Sequence, residues 1–289
     1  MMADPVGEIL ERHGITGPWS TLESTGVANR IYATRDVVLR VATDHPEAVS
    51  DARTESVAAP VVSAAGIPAP RLLAFDDSRT LIDRPYSLWE RVHGETLGVF
   101  APDPQSAGPV WREAGRQLAR LHTRVQTCLD PYGWLDRPER SIDLTERLDA
   151  AQSSAVIGRR EAAELRTWIV DLGATVREAT PSCFLHNDVH AMNLMCTHDR
   201  ELLAIIDWGD AGWGDPVLEV SEVPLAAVGF VLEGYRAEAP ALLGDRPEAR
   251  IIWDKIASLL DGFRKPGWHA AEFDALRRYV LDTGKQWRS

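Results

Sequence analysis

The chain has 289 residues, 45% hydrophobic and 26% charged, which suits one large globular domain or two lobes around a buried core. With 43 acidic against 31 basic residues the formal net charge is −12, a field that repels nucleic acid and anionic membrane surfaces and attracts cations. No apolar run approaches the roughly 18 residues a membrane span needs, and Cys128, Cys183 and Cys196 contain no C-x-x-C pair, which argues against a disulfide framework or a cysteine zinc site.

The start, MMADPVGEILERHG, carries acids and no apolar stretch, so it is not expected to be a signal peptide, and the expected location is cytoplasmic. Strands are predicted over Arg30–Arg35 and Asp36–Val41, paired antiparallel across a tight turn. Ala48–Ala65 predicts a helix with Ala52, Val57, Val61 and Val62 on one face, stopped by Gly66. Ile67-Pro68-Ala69-Pro70 is an extended connector, because a proline disfavours helix before it. Arg71–Phe75 and Pro85–Arg91 are further strands. After Gly94 helices take over: Val110–Val125, with Trp111, Ala114, Leu118, Leu121 and Val125 on one stripe, then Arg159–Arg177, Ile251–Phe263 and Phe273–Leu281. Phe184 to Asp207 is a non-helical block that contains an apolar strand, Leu202–Ile206. The expected class is therefore α+β, with a small antiparallel-sheet lobe over residues 1–92 and a larger, mostly helical lobe over 93–289.

The densest polar cluster is His186-Asn187-Asp188-Val189-His190-Ala191-Met192-Asn193, followed by Ile205-Ile206-Asp207-Trp208. Phosphoryl transfer needs a carboxylate beside the attacking hydroxyl and rigidly placed oxygen ligands for Mg²⁺. The run D-x-x-x-x-N supplies a carboxylate and an amide oxygen from one loop, and an Asp at the end of a buried strand supplies a second hard ligand. Two other readings of these residues stand beside that one. The block could be a polar loop that only caps a strand. His186-x-Asp188-x-His190 also has the look of transition-metal ligands in a metallohydrolase, although His13, His45, His93, His122, His198 and His269 offer no second pair to complete such a site.

HNDVHAMNLM followed by IIDWGDAGWGDP resembles the aminoglycoside phosphotransferase and choline kinase-like family, whose pattern is H-G-D-hydrophobic-H-x-x-N-hydrophobic and then I-D-[FW]-x-x-A-G-x-G-D-P. The second stretch matches at Ile206, Asp207, Trp208, Ala211, Gly212, Gly214, Asp215 and Pro216. The resemblance runs from about Thr25 to Glu219 and implies a protein-kinase-like fold that binds ATP or GTP with Mg²⁺. It makes Asp188 the catalytic base or hydroxyl-orienting carboxylate, and Asn193 and Asp207 the metal ligands. It gives His186 the task of anchoring the loop, and His190 a hydrogen bond within it. Asn187 stands where the family has Gly, and Asn tolerates the left-handed backbone such a turn needs. Val189 replaces the usual Leu.

The same resemblance assigns the nucleotide side. Thr25-Gly26-Val27-Ala28-Asn29 takes the place of the phosphate loop, with Gly26, Ala28 and Asn29 small enough to let backbone N–H groups approach phosphate. Arg40 takes the place of the strand lysine and Glu55 that of its helix partner; Arg keeps the charge but has a different geometry. The hinge corresponds to Ser87–Gly94, where the backbone of Glu90 and Val92 meets adenine and Trp89 lines the back of the pocket. The partner is a small-molecule hydroxyl acceptor, which the net charge of −12 tilts toward a cationic, amine-bearing one and the resemblance extends to aminoglycoside-type antibiotics; no nucleic-acid or membrane partner is expected. Asp210, Glu219, Glu233, Asp254 and Asp261, with Trp213, Trp253, Trp268 and Tyr235, are candidates for the acceptor surface. A catalytically silent binding protein on the same fold is the alternative from another class, against which the intact Asp188, Asn193 and Asp207 argue. A protein kinase would need an A-P-E segment after Asp207, and none follows. The sequence leaves the oligomeric state open.

Overall fold

Alternation along the early strands decides which side chains face which helix. The computed structural model describes residues 5–23, 26–101, 103–135, 143–173, 176, 181–262 and 270–283. Helix α1 (Pro5–Arg12) precedes strands β1 (Ser20–Leu22), β2 (Asn29–Ala33) and β3 (Val37–Ala42). After helix α2 (Ala48–Ala64) come β4 (Leu72–Asp76) and β5 (Tyr86–Glu90). The five strands form one antiparallel sheet in the order β1-β2-β3-β5-β4. With a period of two, β3 turns Leu39 and Val41 to one face, where they bury with Tyr86, Leu88 and the α1 residues Val6, Ile9 and Leu10. Val38 turns the other way, into the core that holds Trp89 and the α2 residues Ala58, Ala59 and Val62. Arg40 shares that second face and so meets α2.

The predicted strands and helices of this lobe are present with ends shifted by one or two residues, as hydrogen bonding at frayed ends allows. The Thr34 hydroxyl accepts from Val37 N–H at 3.1 Å and closes the turn, which ends β2 earlier than predicted. Helix α1 and strand β1 were not predicted, although Val6, Ile9 and Leu10 carry the spacing of a helix face.

The remainder contains β6 (Glu95–Thr96), α3 (Leu97–Phe100), α4 (Gly108–Arg124), α5 (Leu144–Ser153) and α6 (Arg159–Leu172). These lead to β7 (Cys183–Leu185), β8 (Leu194–Cys196), β9 (Leu202–Ile205) and β10 (Gly212–Gly214). Helices α7 (Leu225–Glu238), α8 (Pro247–Gly262) and α9 (Ala270–Thr283) follow. The short strands form two antiparallel ribbons, β6-β8-β9 and β10-β7. All five residues of the predicted α4 stripe, Trp111, Ala114, Leu118, Leu121 and Val125, are buried. Helix α4 lies hard against α7: a Cβ on Gly115 would collide with the Val231 carbonyl and one on Gly234 with the Arg112 carbonyl. A second apolar cluster joins α5, α6, α8 and α9. Arg177 and Phe263, the predicted ends of two helices, lie outside the described residues, and α5 and α7 were not predicted. Among the described residues no helix is long and apolar enough to cross a membrane.

Candidate active site

Strand β7 is wholly buried and delivers the chain to His186, itself without exposure. The His186 Nε2–H donates to the Ile206 carbonyl at 2.9 Å, and Nδ1 accepts from Asp188 N–H at 3.2 Å. Those two bonds fix one neutral tautomer and tie the two halves of the motif together. The ring also stands edge-on to Trp208 at 4.5 Å between centroids. The His186 N–H donates to Glu219 Oε1. Asn187 adopts φ +67°, the left-handed conformation its substitution for Gly requires, and its Nδ2 donates to the Asp210 carbonyl at 3.0 Å.

Asp188 and Asn193 face each other. Asn193 Nδ2 donates to both the Asp188 carbonyl and Oδ2 at 2.9 Å, which fixes the amide orientation and leaves Asn193 Oδ1 as its remaining acceptor. His190 Nε2 lies 3.4 Å from Asp188 Oδ2, while its Nδ1 accepts from Met192 N–H at 3.1 Å. Burial works to raise the Asp188 pKa, but the bonds from His190 and Asn193 outweigh it, so the carboxyl lies below the usual range. The bond to Asp188 raises His190, against its burial. His186 has no nitrogen left for a metal, so the H-x-D-x-H side chains do not act as one ligand set.

Asp207 follows β9 in a left-handed conformation, φ +67°. Its Oδ1 accepts from Arg40 Nη2 at 2.8 Å, and Arg40 Nη1 donates to Glu55 Oε1 at 2.7 Å. One guanidinium thus bridges a helix acid from α2 and the acid of the second motif. Glu55 Oε1 also accepts from Trp208 N–H at 3.4 Å. Burial acts against the Arg40 cation, yet the two carboxylates prevail and its pKa is raised. Burial pushes Glu55 up; Arg40 opposes this, and the Asp207 charge adds to it. Burial would likewise raise Asp207, but Arg40 holds it down. Asp188 and Asp207 are near enough for the charge of one to act on the other. Asn193 Oδ1 and the Asp207 carboxylate, whose Oδ1 is held by Arg40, are oxygen donors of the hard kind that Mg²⁺ takes. Gly209 lets α2 approach closely, since a Cβ there would lie 2.8 Å from Asp51 Cβ. Asp51 is pushed to about 6 by burial and then by the charges of Asp210, Glu47 and Asp207.

On the other side, the segment 26–29 is pinned to the end of β3: Thr43 N–H donates to the Ala28 carbonyl at 2.9 Å and Thr43 Oγ1 to the Val27 carbonyl at 2.7 Å. Gly26 and Asn29 flank that tie; Thr25 lies outside the described residues. Trp89 is buried with Nε1 donating to Ser87 Oγ at 2.7 Å. Glu90 is exposed, its carboxylate paired with Arg71 and its N–H given to the Arg71 carbonyl at 2.9 Å. Val92 follows it, half-buried.

The expected acceptor residues divide sharply. Glu219 is 1% exposed, its Oε1 held by His186 N–H and, at 3.4 Å, by His122 Nε2, while Oε2 has no partner. His122 Nδ1 meets the Tyr235 hydroxyl at 2.6 Å. Glu219 and Tyr235 therefore brace the loop from inside the core and face no acceptor. Glu233 pairs with Arg112 at 2.8 Å, Trp213 packs edge-on against Phe184, and Trp253 lies against the second cluster. Asp254 is pushed to about 6 by burial, with Lys255 opposing and Glu222 adding to it, and its Oδ2 has no partner. Lys255 Nζ donates to the Ser221 carbonyl and, at 2.8 Å, to the Val223 carbonyl. Glu222 lies near enough for its charge to act on His190. The side chain of Asp261 and all of Trp268 lie outside the described residues. The sequence reading missed Glu222, Lys255 and the role of His122; only the acidic, amine-bearing runs E-V-S-E and D-K hint at the first two.

The sequence profile of the phosphotransferase enzyme family matches residues 21–259. No curated protein sequence matches the chain significantly. Among solved structures, it resembles a GDP complex of an aminoglycoside 2'-phosphotransferase-IIIa mutant, with a TM-score of 0.70, 16% identity, and 96% of this chain and 97% of that one covered. It also resembles a choline/ethanolamine kinase family protein from Mesorhizobium loti, with a TM-score of 0.60, 18% identity and 98% of each chain covered. A third likeness is to aminoglycoside phosphotransferase APH(4)-Ia in a ternary complex with ADP and hygromycin B, with a TM-score of 0.56, 17% identity, and 98% of this chain and 97% of that one covered. These likenesses give a kinase-like α+β fold, and with the profile spanning most of its length the chain belongs to the phosphotransferase enzyme family.

Proposed function

We propose that the chain is a small-molecule kinase that moves the γ-phosphoryl of ATP or GTP to a hydroxyl of an amine-bearing acceptor. The observation that carries this reading is the meeting of Arg40 and Glu55, from the sheet lobe, with Asp207 beside the Asp188–Asn193 loop. On this reading residues 1–92 bind nucleotide and residues 93–289 carry the catalytic loop and acceptor site, in a cytoplasmic protein.

Asp188 orients the acceptor hydroxyl and takes its proton; the lowered pKa keeps it ionised at neutral pH. The acceptor oxygen then attacks phosphorus in line as the bond to the nucleoside diphosphate breaks. Asn193 Oδ1 and Asp207 would hold Mg²⁺, which neutralises charge on the phosphates. Arg40 braces the phosphates, and the Gly26, Ala28 and Asn29 backbone covers them. Trp89, the Glu90 carbonyl and the Val92 N–H flank the base; the Glu90 N–H is spent on Arg71. Glu222, whose charge acts on His190, supports a cationic partner, as does the net charge of −12. The neighbours named for aminoglycosides, hygromycin B and choline or ethanolamine support the same class, and antibiotic modification is its sharpest form.

The test is ADP or GDP release with Mg²⁺ against a panel of aminoglycosides, other hydroxylated antibiotics, choline and simple sugars. Stimulation by an amine-bearing class, abolished in Asp188→Ala, is the expected result. Stimulation by neutral sugars alone would overturn the acceptor class, and absence of any nucleotide binding would overturn the kinase reading.

A further inference from the structure

Arg40 stands where the family resemblance places a lysine, and its fork gives each of two carboxylates a nitrogen of its own. Nη1 holds Glu55 at 2.7 Å while Nη2 holds Asp207 at 2.8 Å. A guanidinium presents its donors in a rigid plane, so both carboxylates are held at once in fixed geometry. The Arg40 side chain is 15% exposed and Glu55 6%, whereas Asp207 is 47% exposed. The inner bond is thus buried and the outer one open to water and ligands. Arg40 Nε is buried without a partner, so the guanidinium is not fully satisfied by this pairing.

We infer that Arg40 is a positioning residue that latches Asp207 in the nucleotide-free enzyme and makes metal loading depend on nucleotide. With Nη2 on Oδ1, the cation neutralises the carboxylate that Mg²⁺ would need, and metal and guanidinium compete for the same charge. Nucleotide phosphate offers Nη2 a stronger, more highly charged acceptor. The guanidinium turns from Asp207 to phosphate, keeps Glu55 through Nη1, and frees Oδ1 for the metal that arrives with the nucleotide. A lysine at this position has three donors but only one nitrogen, which must reach Glu55 and Asp207 from a single point, so once seated on the buried Glu55 it holds Asp207 less firmly than the fork does. The latch rests on Asp207 being a metal ligand, as proposed above.

The experiment titrates Mn²⁺ into full-length protein without nucleotide, reading unbound Mn²⁺ by electron paramagnetic resonance, for the wild type and Arg40→Lys, and then repeats both with ADP. Arg40→Lys is expected to bind Mn²⁺ alone on the order of tenfold more tightly, the weight of one charge-assisted hydrogen bond. With ADP the difference should shrink, because the latch is already open. Equal affinity of the two proteins for Mn²⁺ alone, with both binding it alongside ADP, overturns the latch and leaves the kinase reading standing. No Mn²⁺ bound by either protein even with ADP overturns both. Metal-free melting of Asp207→Asn decides the matter if Arg40→Lys does not fold: the latch requires a lowered melting temperature, whereas a residue serving only as a metal ligand gives an unchanged or higher one.

Discussion

Replacing Glu219 with Ala tests whether the loop 186–193 hangs on a buried carboxylate. Glu219 Oε1 accepts from His186 N–H and His122 Nε2, and both partners are buried. Alanine leaves those two donors without an acceptor, and each unsatisfied buried donor costs about 1–3 kcal/mol. Removing a buried carboxylate whose Oε2 has no partner recovers part of that loss. The net expectation is a loss of about 3 kcal/mol. For a chain of this size that is a fall in Tm of roughly 6–12 °C. Because His186 also holds Asp188 N–H, turnover should fall too, with the KM for acceptor little changed. Urea unfolding, thermal melting and steady-state kinetics measure the three quantities. Glu219→Gln, which keeps one acceptor oxygen, should lose less. A Glu219→Ala protein within about 0.5 kcal/mol of wild type, the range of surface substitutions, and changed only in acceptor KM, would refute the argument and return Glu219 to the acceptor surface.

Asp188→Ala should lower turnover by roughly 10²–10⁴-fold while nucleotide affinity, read by thermal shift, stays put; equal turnover would remove Asp188 from the reaction. His190 titrates above its ordinary value because of Asp188, so its contribution is full below about pH 6.5 and is lost as pH rises through the folded value. Asp188 lies below its ordinary value, so its contribution is present above about pH 3.9 and is lost as pH falls through the folded value. NMR titration of the His190 ring should show the pKa dropping toward about 6.5 in Asp188→Asn, and an unmoved ring would refute the pairing. Gly209→Ala should cost about 1–3 kcal/mol, since the new Cβ would press on Asp51 and push α2, with Glu55, away from Arg40; unchanged urea unfolding would show that the contact yields freely.

Much of this site is local and was therefore legible. His186, Asp188, Asn193 and Asp207 sit in two short runs whose spacing is itself the signal, and Asn187 shows the left-handed turn its residue type allows. Strand and helix periods placed β3 and α4 because each buries a face every second or every third to fourth residue, whereas β5 is buried on both faces and Val57 and Val61 of the predicted α2 face are only half-buried. Helix α1 has the same spacing over only 8 residues, too short a run for the period to stand out. Identical residue types at distant positions could not be told apart. Glu219, Glu233 and Asp254 all read as candidate acids of the acceptor surface. Packing buries Glu219 beneath the loop, pairs Glu233 with Arg112 at the surface, and leaves Asp254 half-buried with a spare oxygen. The sequence alone determined the fold class, the two motifs and the family, because hydrophobic period and motif spacing act over a few neighbouring residues. Only the tertiary structure decided that Arg40 reaches Asp207, 167 positions away, and that His122 completes a brace through Glu219. Such contacts form when packing excludes water and leaves each buried charge to find a partner, a choice that depends on the whole fold.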